Sequence, residues 1–384
     1  MAVKEKSTVK EKEQLKLIVK KKSLDYGLLI VVLVLLAIGL VMILSASAPY
    51  SLRTEGDGYF YVKKQLMFAV IGIVSMLVIS KLDYRILNSR LSYLAYIGGL
   101  GLMSLVLVPG VGVERNGALR WVNLAGFQFQ PSEIMKICLI LMLSTLIVKN
   151  PEKIKKFWVG LVPLLCTVLP VFGLLVIQDH LSAMMITAVI VAVIIFTAGA
   201  KVLHLVPIGG AGAAAAFLYA YTSEFRRKRL MIFLDPWQDP RNNGWQIIQS
   251  LYAIGSGGLF GVGLGKGVQK YMYIAEPHND FILATWAEET GLMGVIFVIL
   301  LFAIFIWRGI VIAMKAPDMF GSLLAMGITG MIGIQAIFNI AVISSSMPVT
   351  GISLPFFSYG GSALVILLSS VGLLLSVSRH ARQH

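Results

Sequence analysis

Apolar residues along this chain come in long unbroken runs, not in the alternation of half-buried strands or the spaced stripes of surface helices. Runs of about 18 residues or more recur, each long enough to cross roughly 30 Å of hydrocarbon as a helix. They predict ten spans, at 25–47, 63–80, 91–109, 131–148, 157–177, 181–199, 202–222, 281–307, 318–343 and 357–377. The fifth, sixth and seventh are separated only by QDH (178–180) and AGAKV (198–202). A helix satisfies its own backbone where no water can, and the runs are far too long for barrel strands. The expected fold is an all-α polytopic membrane domain over residues 23–378, with tails at 1–22 and 379–384. No fixed-period repeat is visible.

Composition agrees. The chain is 57% hydrophobic and only 14% charged, with mean hydropathy +0.83, whereas a soluble domain keeps about a quarter of its residues charged. A net charge of +14 raises the question of nucleic acid, but its distribution excludes that partner. Eight lysines fall within residues 1–22, the composition of a basic tail beside anionic lipid. The first run ends in SASA, which resembles a signal-peptidase site, yet the run is too long for a cleaved signal and reads as an uncleaved anchor. With both termini cytosolic, Lys and Arg number twenty on that side and five in the short external connections, as the positive-inside rule requires. Cys138 and Cys166 lie inside apolar runs and read as buried small hydrophobes.

Two external segments exceed what connection needs: GVGVERNGALRWVNLAGFQFQPSE (110–133) and the loop from Ser223 to Asp280. Long loops in compact folds are usually functional or disordered, and the aromatic content of the second favours order, with WQIIQSLYAI as an interfacial helix on the outer leaflet. Its GVGLGKG (261–267) imitates a nucleotide loop but has Phe260 and Gly267 where the Walker pattern needs Gly and Ser/Thr.

The candidate chemistry gathers at the outer ends of the fourth and eighth spans. The eighth opens with Glu276, Asp280, Glu288 and Glu289. Asp280 stands at its mouth, where an acid also serves as a plain helix cap. Glu288 is about 12 Å deeper, where an ionisable group needs a partner or a wet cavity; capping within the bundle suits Glu289. In QPSEIMK (130–136), Pro131 starts a helix and places Glu133 and Lys136 on one face. They are either a structural pair or part of a polar crevice shared with Asp280. Arg115 and Arg120 can hold phosphate, and Trp121 can stack on a sugar or sit in the aromatic belt. The cluster Arg226-Arg227-Lys228-Arg229 suits either lipid anchoring or a lipid pyrophosphate. His180, His204 and His278 lack metal-ligand spacing.

These motifs, with GLVMILSASA (39–48), DPWQDPRNNGWQIIQSLYAIGSGGLFGVGLGKG, EPHNDFI with AEETG, and MPVTGISLPFFSYGGSAL (347–364), resemble the SEDS proteins (shape, elongation, division and sporulation). The FtsW and SpoVE branch is closer than RodA. The resemblance implies a ten-span peptidoglycan glycosyltransferase of the bacterial plasma membrane that polymerises lipid II on the outer face, serving division or sporulation. It implies a class B penicillin-binding protein transpeptidase as partner, with other divisome proteins. It puts the essential loop aspartate on Asp280, the loop tryptophan on Trp121 and the fourth-span pair on Glu133 and Lys136; His278 and Glu288 join the expected substrate-binding set. One departure stands out: the family's Gln-Pro-Asp-Leu-Gly-Thr is QDHLSA here, and no role is carried to that segment.

The expected chemistry is attack by an acceptor sugar hydroxyl on an anomeric carbon whose leaving group is undecaprenyl pyrophosphate. A single base suffices for inversion. Asp280 is expected to be that base, held ionised by Lys136, with Arg115, Arg120 and a divalent cation (Mg or Mn) offsetting the diphosphate; the metal could instead bridge Asp280 to it. The competing readings are a lipid II flippase, whose polar groups would spread through the bilayer's depth, and a non-catalytic division scaffold, which would tolerate loss of Asp280.

Overall fold

The computed structural model describes residues 24–115, 118–124, 126–222, 224–242 and 244–381, without the side chains of residues 115, 127, 220 and 224–226. The basic tail 1–22 and residues 382–384 lie outside the described residues.

Helices form at all ten apolar runs: α1 Tyr26–Glu55, α2 Phe60–Lys81, α3 Arg90–Leu105, α4 Pro131–Lys149, α5 Val162–Ile177, α6 Leu181–Thr197 and α7 Val202–Tyr221, then α10 Ile282–Lys315, α11 Met319–Ile343 and α12 Gly361–His380. Among the described residues, eight are long and apolar enough to cross a bilayer, α5 counting from Phe157; α6, with 17 residues, is apolar but shorter, and α3 has 16. The chain is a helical, multi-pass membrane protein. α4, α11 and α12 form its interior, and α7 has no buried residue in its apolar stretch. Cys138 is buried as expected; Cys166 is exposed, because it faces outward from the apolar α5.

Polar contacts mark the two ends of the bundle. At one end Asp25 caps α1 by accepting from Leu28 N at 2.9 Å and takes both prongs of Arg308 at 3.1 and 2.6 Å. There too Asp318 caps α11 through Gly321 N at 2.8 Å and accepts from Tyr84 Oη at 2.6 Å. At the other end, Gln65 of α2 bonds the 358–360 segment, and Arg120 reaches the turn between α5 and α6.

Two expectations need correction at this second end. Segment 110–133 is not all loop: β1 Gly112–Arg115, β2 Ala118–Leu124 and β3 Phe127–Phe129 make a three-stranded antiparallel sheet in the order β1-β2-β3. Val122 and Phe129 bury its inner face against Val106, with Ile134 of α4 alongside. The long loop holds α8 Glu224–Leu234 and α9 Trp245–Gly257. The latter is the expected WQIIQSLYAI helix, but it does not lie free on a leaflet. Its Ile247, Ile248, Ser250 and Ala253 are buried, Ser250 Oγ donates to Ile343 O at 2.9 Å, and its C-terminal end packs on α10.

α10 is broken at Gly291, whose φ of 69° and ψ of −168° are non-helical. A Cβ there would collide with the backbone at Gly261, so only glycine fits. The segment after α9 crosses the break. Val262 N and Gly263 N donate to Glu288 O and Glu289 O, both at 3.0 Å, ending the upper half-helix. Leu292 N and Met293 N donate to Gly258 O and Leu259 O at 2.9 and 3.2 Å, starting the lower one. Backbone groups that a helix end leaves orphaned are thus satisfied by the loop.

Candidate active site

The upper half of α10 carries Asp280 just ahead of its first turn. Asn339 of α11, fully buried, fixes the residue by donating from Nδ2 to Asp280 O at 2.7 Å and to Ile352 O at 2.8 Å. The segment between α11 and α12 closes over the carboxylate. Gly351 has φ +68°, and a Cβ on it would stand 3.3 Å from Asp280 Oδ2; Ser182 at the start of α6 donates to Thr350 O and holds this segment down.

Asp280 is half-buried. Burial pushes its carboxyl up to about 6, the Glu276 carboxylate pushes the same way, and the guanidiniums of Arg229 and Arg120 pull it back. Arg120 comes from β2, and its Nη2 donates to Asp179 O at 2.7 Å. Asp179 adopts φ 51°, and its Oδ1 accepts from Tyr219 Oη at 3.0 Å. Arg120 Nε is buried and finds no hydrogen-bond partner among the described residues. Arg229 comes from α8, with Nη1 3.4 Å from Val349 O. Burial draws down the pKa of both guanidiniums, while Asp179 and Asp280 oppose it.

Lys136 was expected beside Asp280. Its Nζ instead pairs with Glu133 at 2.8 Å, with the lysine 2% exposed. α4 packs on α3, α6 and α11 rather than on α10. The space between Lys136 and Met103, Val171, Leu175 and Thr187 is too tight to admit a water molecule. The i, i+3 spacing decided the matter: the local partner was within reach and the distant one was not. Lys136 still belongs to the neighbourhood, since its charge and that of Arg120 both act on His180, which bonds Gln130 and caps α6 by accepting from Ala183 N at 3.3 Å.

Glu288 and Glu289 are both nearly fully buried, and both carboxylates are taken up by the segment that crosses the break. Glu288 Oε1 accepts from Val268 N at 2.8 Å. Glu289 accepts from Gly265 N at 2.9 Å and Ser45 Oγ at 2.7 Å, and pairs with buried Lys270 at 2.6 Å. The nucleotide-like GVGLGKG is therefore a clamp on the broken helix. Such glycines, which pass close to backbone or adopt positive φ, serve that clamp as well as they would serve a phosphate. Trp121 lies half-buried on β2, opposite Val113. Arg115 ends β1, and its side chain lies outside the described residues. His278 is buried among Tyr50, Tyr61 and Tyr359, and burial lowers its pKa to about 4.

Among the described residues no group of three His, Cys, Asp or Glu side chains could hold a metal ion. Asp280 offers one carboxylate under the influence of two guanidiniums, which does not make a resident metal cage. Asn339 and Gly351 escaped the sequence reading, and Arg229 entered it only as one of the basic cluster 226–229. A lone Asn in an apolar span is a usable signal, because buried polar groups there need partners; nothing in sequence singles out Arg229 from its three basic neighbours.

A single carboxyl held near neutrality beside two guanidiniums, at one face of a multi-pass helical domain, is equipped for proton transfer on an anionic substrate at a membrane surface. The chain belongs to the FtsW/RodA/SpoVE family of cell cycle proteins, whose family model matches residues 26–383. It is 43% identical to stage V sporulation protein E of Bacillus subtilis, over 94% of this chain and 99% of that one. It is 39% identical to a probable peptidoglycan glycosyltransferase FtsW of a Geobacter species, over 93% and 97%. Among solved structures it resembles a chain from work on the coordination of polymerization and crosslinking by a peptidoglycan synthase complex, with TM-score 0.76, 32% identity, and coverage of 93% and 98%. It also resembles the rod shape determining protein RodA of Thermus thermophilus, with TM-score 0.69, 31% identity, and coverage of 94% and 99%.

Proposed function

We propose that this chain is a peptidoglycan glycosyltransferase of cell division or sporulation, working on lipid II at the outer face of the bacterial plasma membrane. Ten crossings with both termini cytosolic put Asp280, the sheet and the α7–α10 loop outside. Asp280 is the general base. It takes the proton from the acceptor hydroxyl as that oxygen bonds the donor's anomeric carbon, and the bond to undecaprenyl pyrophosphate breaks with its electron pair leaving on the diphosphate. Arg120 and Arg229 meet that charge, and the buried, unpartnered Nε of Arg120 supplies a donor for a phosphate oxygen. A divalent cation would be held chiefly by the diphosphate itself and would add to the charge that Arg120 and Arg229 offset.

The observation that carries this reading is the carboxyl of Asp280, raised toward neutral pH and flanked by guanidiniums, in a member of this family. The polar groups that act on Asp280 gather at one end of the bundle, which suits chemistry on one face better than carriage across the bilayer. Likeness to a chain of a peptidoglycan synthase complex supports a crosslinking transpeptidase, of the class B penicillin-binding type, as partner. The test is purified protein with lipid II, products resolved on a gel. Wild type should make long glycan and Asp280→Asn none; polymer from Asp280→Asn would reject Asp280 as the base.

A further inference from the structure

Two residues before Asp280, the chain turns His278 the other way, toward the ends of α1 and α2. Its ring centroid lies 4.5 Å from that of Tyr61, 5.3 Å from Tyr50 and 5.9 Å from Tyr359. Tyr61 and Tyr359 meet edge to face at 4.9 Å. All three tyrosines are half-buried. His278 is only 3% exposed, and its Nδ1 finds no hydrogen-bond partner among the described residues. The cluster is tied to the catalytic turn: Tyr359 N donates to His278 O at 2.9 Å, and Ser358 Oγ donates to Asn279 O at 2.9 Å.

Its chemistry is the reverse of the arginine side. The imidazole is neutral over the working pH range, the Glu276 carboxylate acts on Tyr61 and His278 as well as on Asp280, and nearby Lys63 is paired with Asp57 at 2.8 Å. An anion is unwelcome there. Flat rings give contact area at little entropic cost, they suit the C–H face of a pyranose, and the orphaned imidazole nitrogen suits a hydroxyl or amide. We propose that Tyr50, Tyr61, Tyr359 and His278 form a subsite for the uncharged N-acetylhexosamine of the acceptor, on the opposite side of Asp280 from the diphosphate. This assignment rests on the glycosyltransferase reading and gives the site a direction: sugar acceptor on the tyrosines, leaving group on the arginines.

The test is binding without turnover, on an Asp280→Asn background in detergent, with fluorescent lipid II and with undecaprenyl pyrophosphate, which has no sugar. Tyr61→Leu and Tyr359→Leu should each weaken lipid II binding roughly fivefold to tenfold and leave undecaprenyl pyrophosphate binding unchanged. The corresponding Phe variants should restore lipid II binding, which guards against a merely unfolded Leu variant. Arg120→Gln should weaken undecaprenyl pyrophosphate binding and leave the tyrosine-dependent part of lipid II binding in place. Unchanged lipid II binding in the Leu variants, equal loss for both ligands, or failure of Phe to restore would overturn the subsite. Sugar-dependent binding that needs the tyrosines, with no polymer from wild type, would leave the subsite standing and reject the polymerase reading instead.

Discussion

Replacing Asp280 with Asn should abolish activity and make the protein more stable. The carboxyl's pKa rises from 3.8 to about 6 on folding, burial outweighing the two arginines. At about 1.4 kcal/mol per pKa unit, that shift amounts to roughly 3 kcal/mol. Solvent reaching the half-buried group trims this toward about 2 kcal/mol. The direction follows from proton linkage. Between pH 3.8 and about 6 the folded chain keeps a proton that the unfolded chain has released, so stability falls as pH rises through that window. Above it, the native state carries the full cost of an ionised carboxylate in a confined site. Asn has the same shape and no charge, so it removes that cost at neutral pH and little at pH 4. Thermal unfolding in detergent micelles at pH 4.5 and 7.5 reads the effect. The Asn variant should unfold a few degrees higher at pH 7.5, with the gap closing toward pH 4.5. A variant equal to or less stable than wild type at pH 7.5 would refute the picture of Asp280 as a group strained for function, and would mark it as an ordinary stabilising cap.

Other consequences are as direct. The pH profile of kcat/KM should fall on the acid side with a single limb near pH 6, since the base must be ionised and His278 titrates lower. Lys270→Met strands the buried Glu289 carboxylate and should destabilise by roughly 3–5 kcal/mol; adding Glu289→Gln should recover most of it in a thermal melt, and a double variant no better than the single would contradict the pairing. Asn339→Ala frees the backbone of Asp280 and should lower kcat on the order of tenfold to a hundredfold with KM little changed, measured by initial rates on lipid II. Gly291→Ala has no room for its methyl beside Gly261 and should yield little folded protein on size-exclusion chromatography.

The helices were legible because burial in lipid demands long apolar runs, and composition alone encodes that. What surrounds Asp280 was not, because depth along a span says nothing about which neighbour faces it. Lys136 stood at the right depth and found Glu133 one turn away; the cations that act on Asp280 came from a strand and a loop helix instead. Glu288 misled for the same reason, its partners being amides of a loop some twenty residues earlier. The sheet could have been foreseen. Asn116-Gly117 between two alternating stretches is a strong hairpin signal, and the weight of hydropathy elsewhere hid it.

The interruption at Gly291 also bears on how the protein is made. The polypeptide that caps both helix stubs, 257–270, leaves the ribosome before the helix it serves. Its Lys270, with Glu288 and Glu289, is hydrated charge until the pieces dock and bury it. Docking of this segment and completion of the broken helix α10 are then one event, and the upper half of α10 has no finished end until the segment is in place.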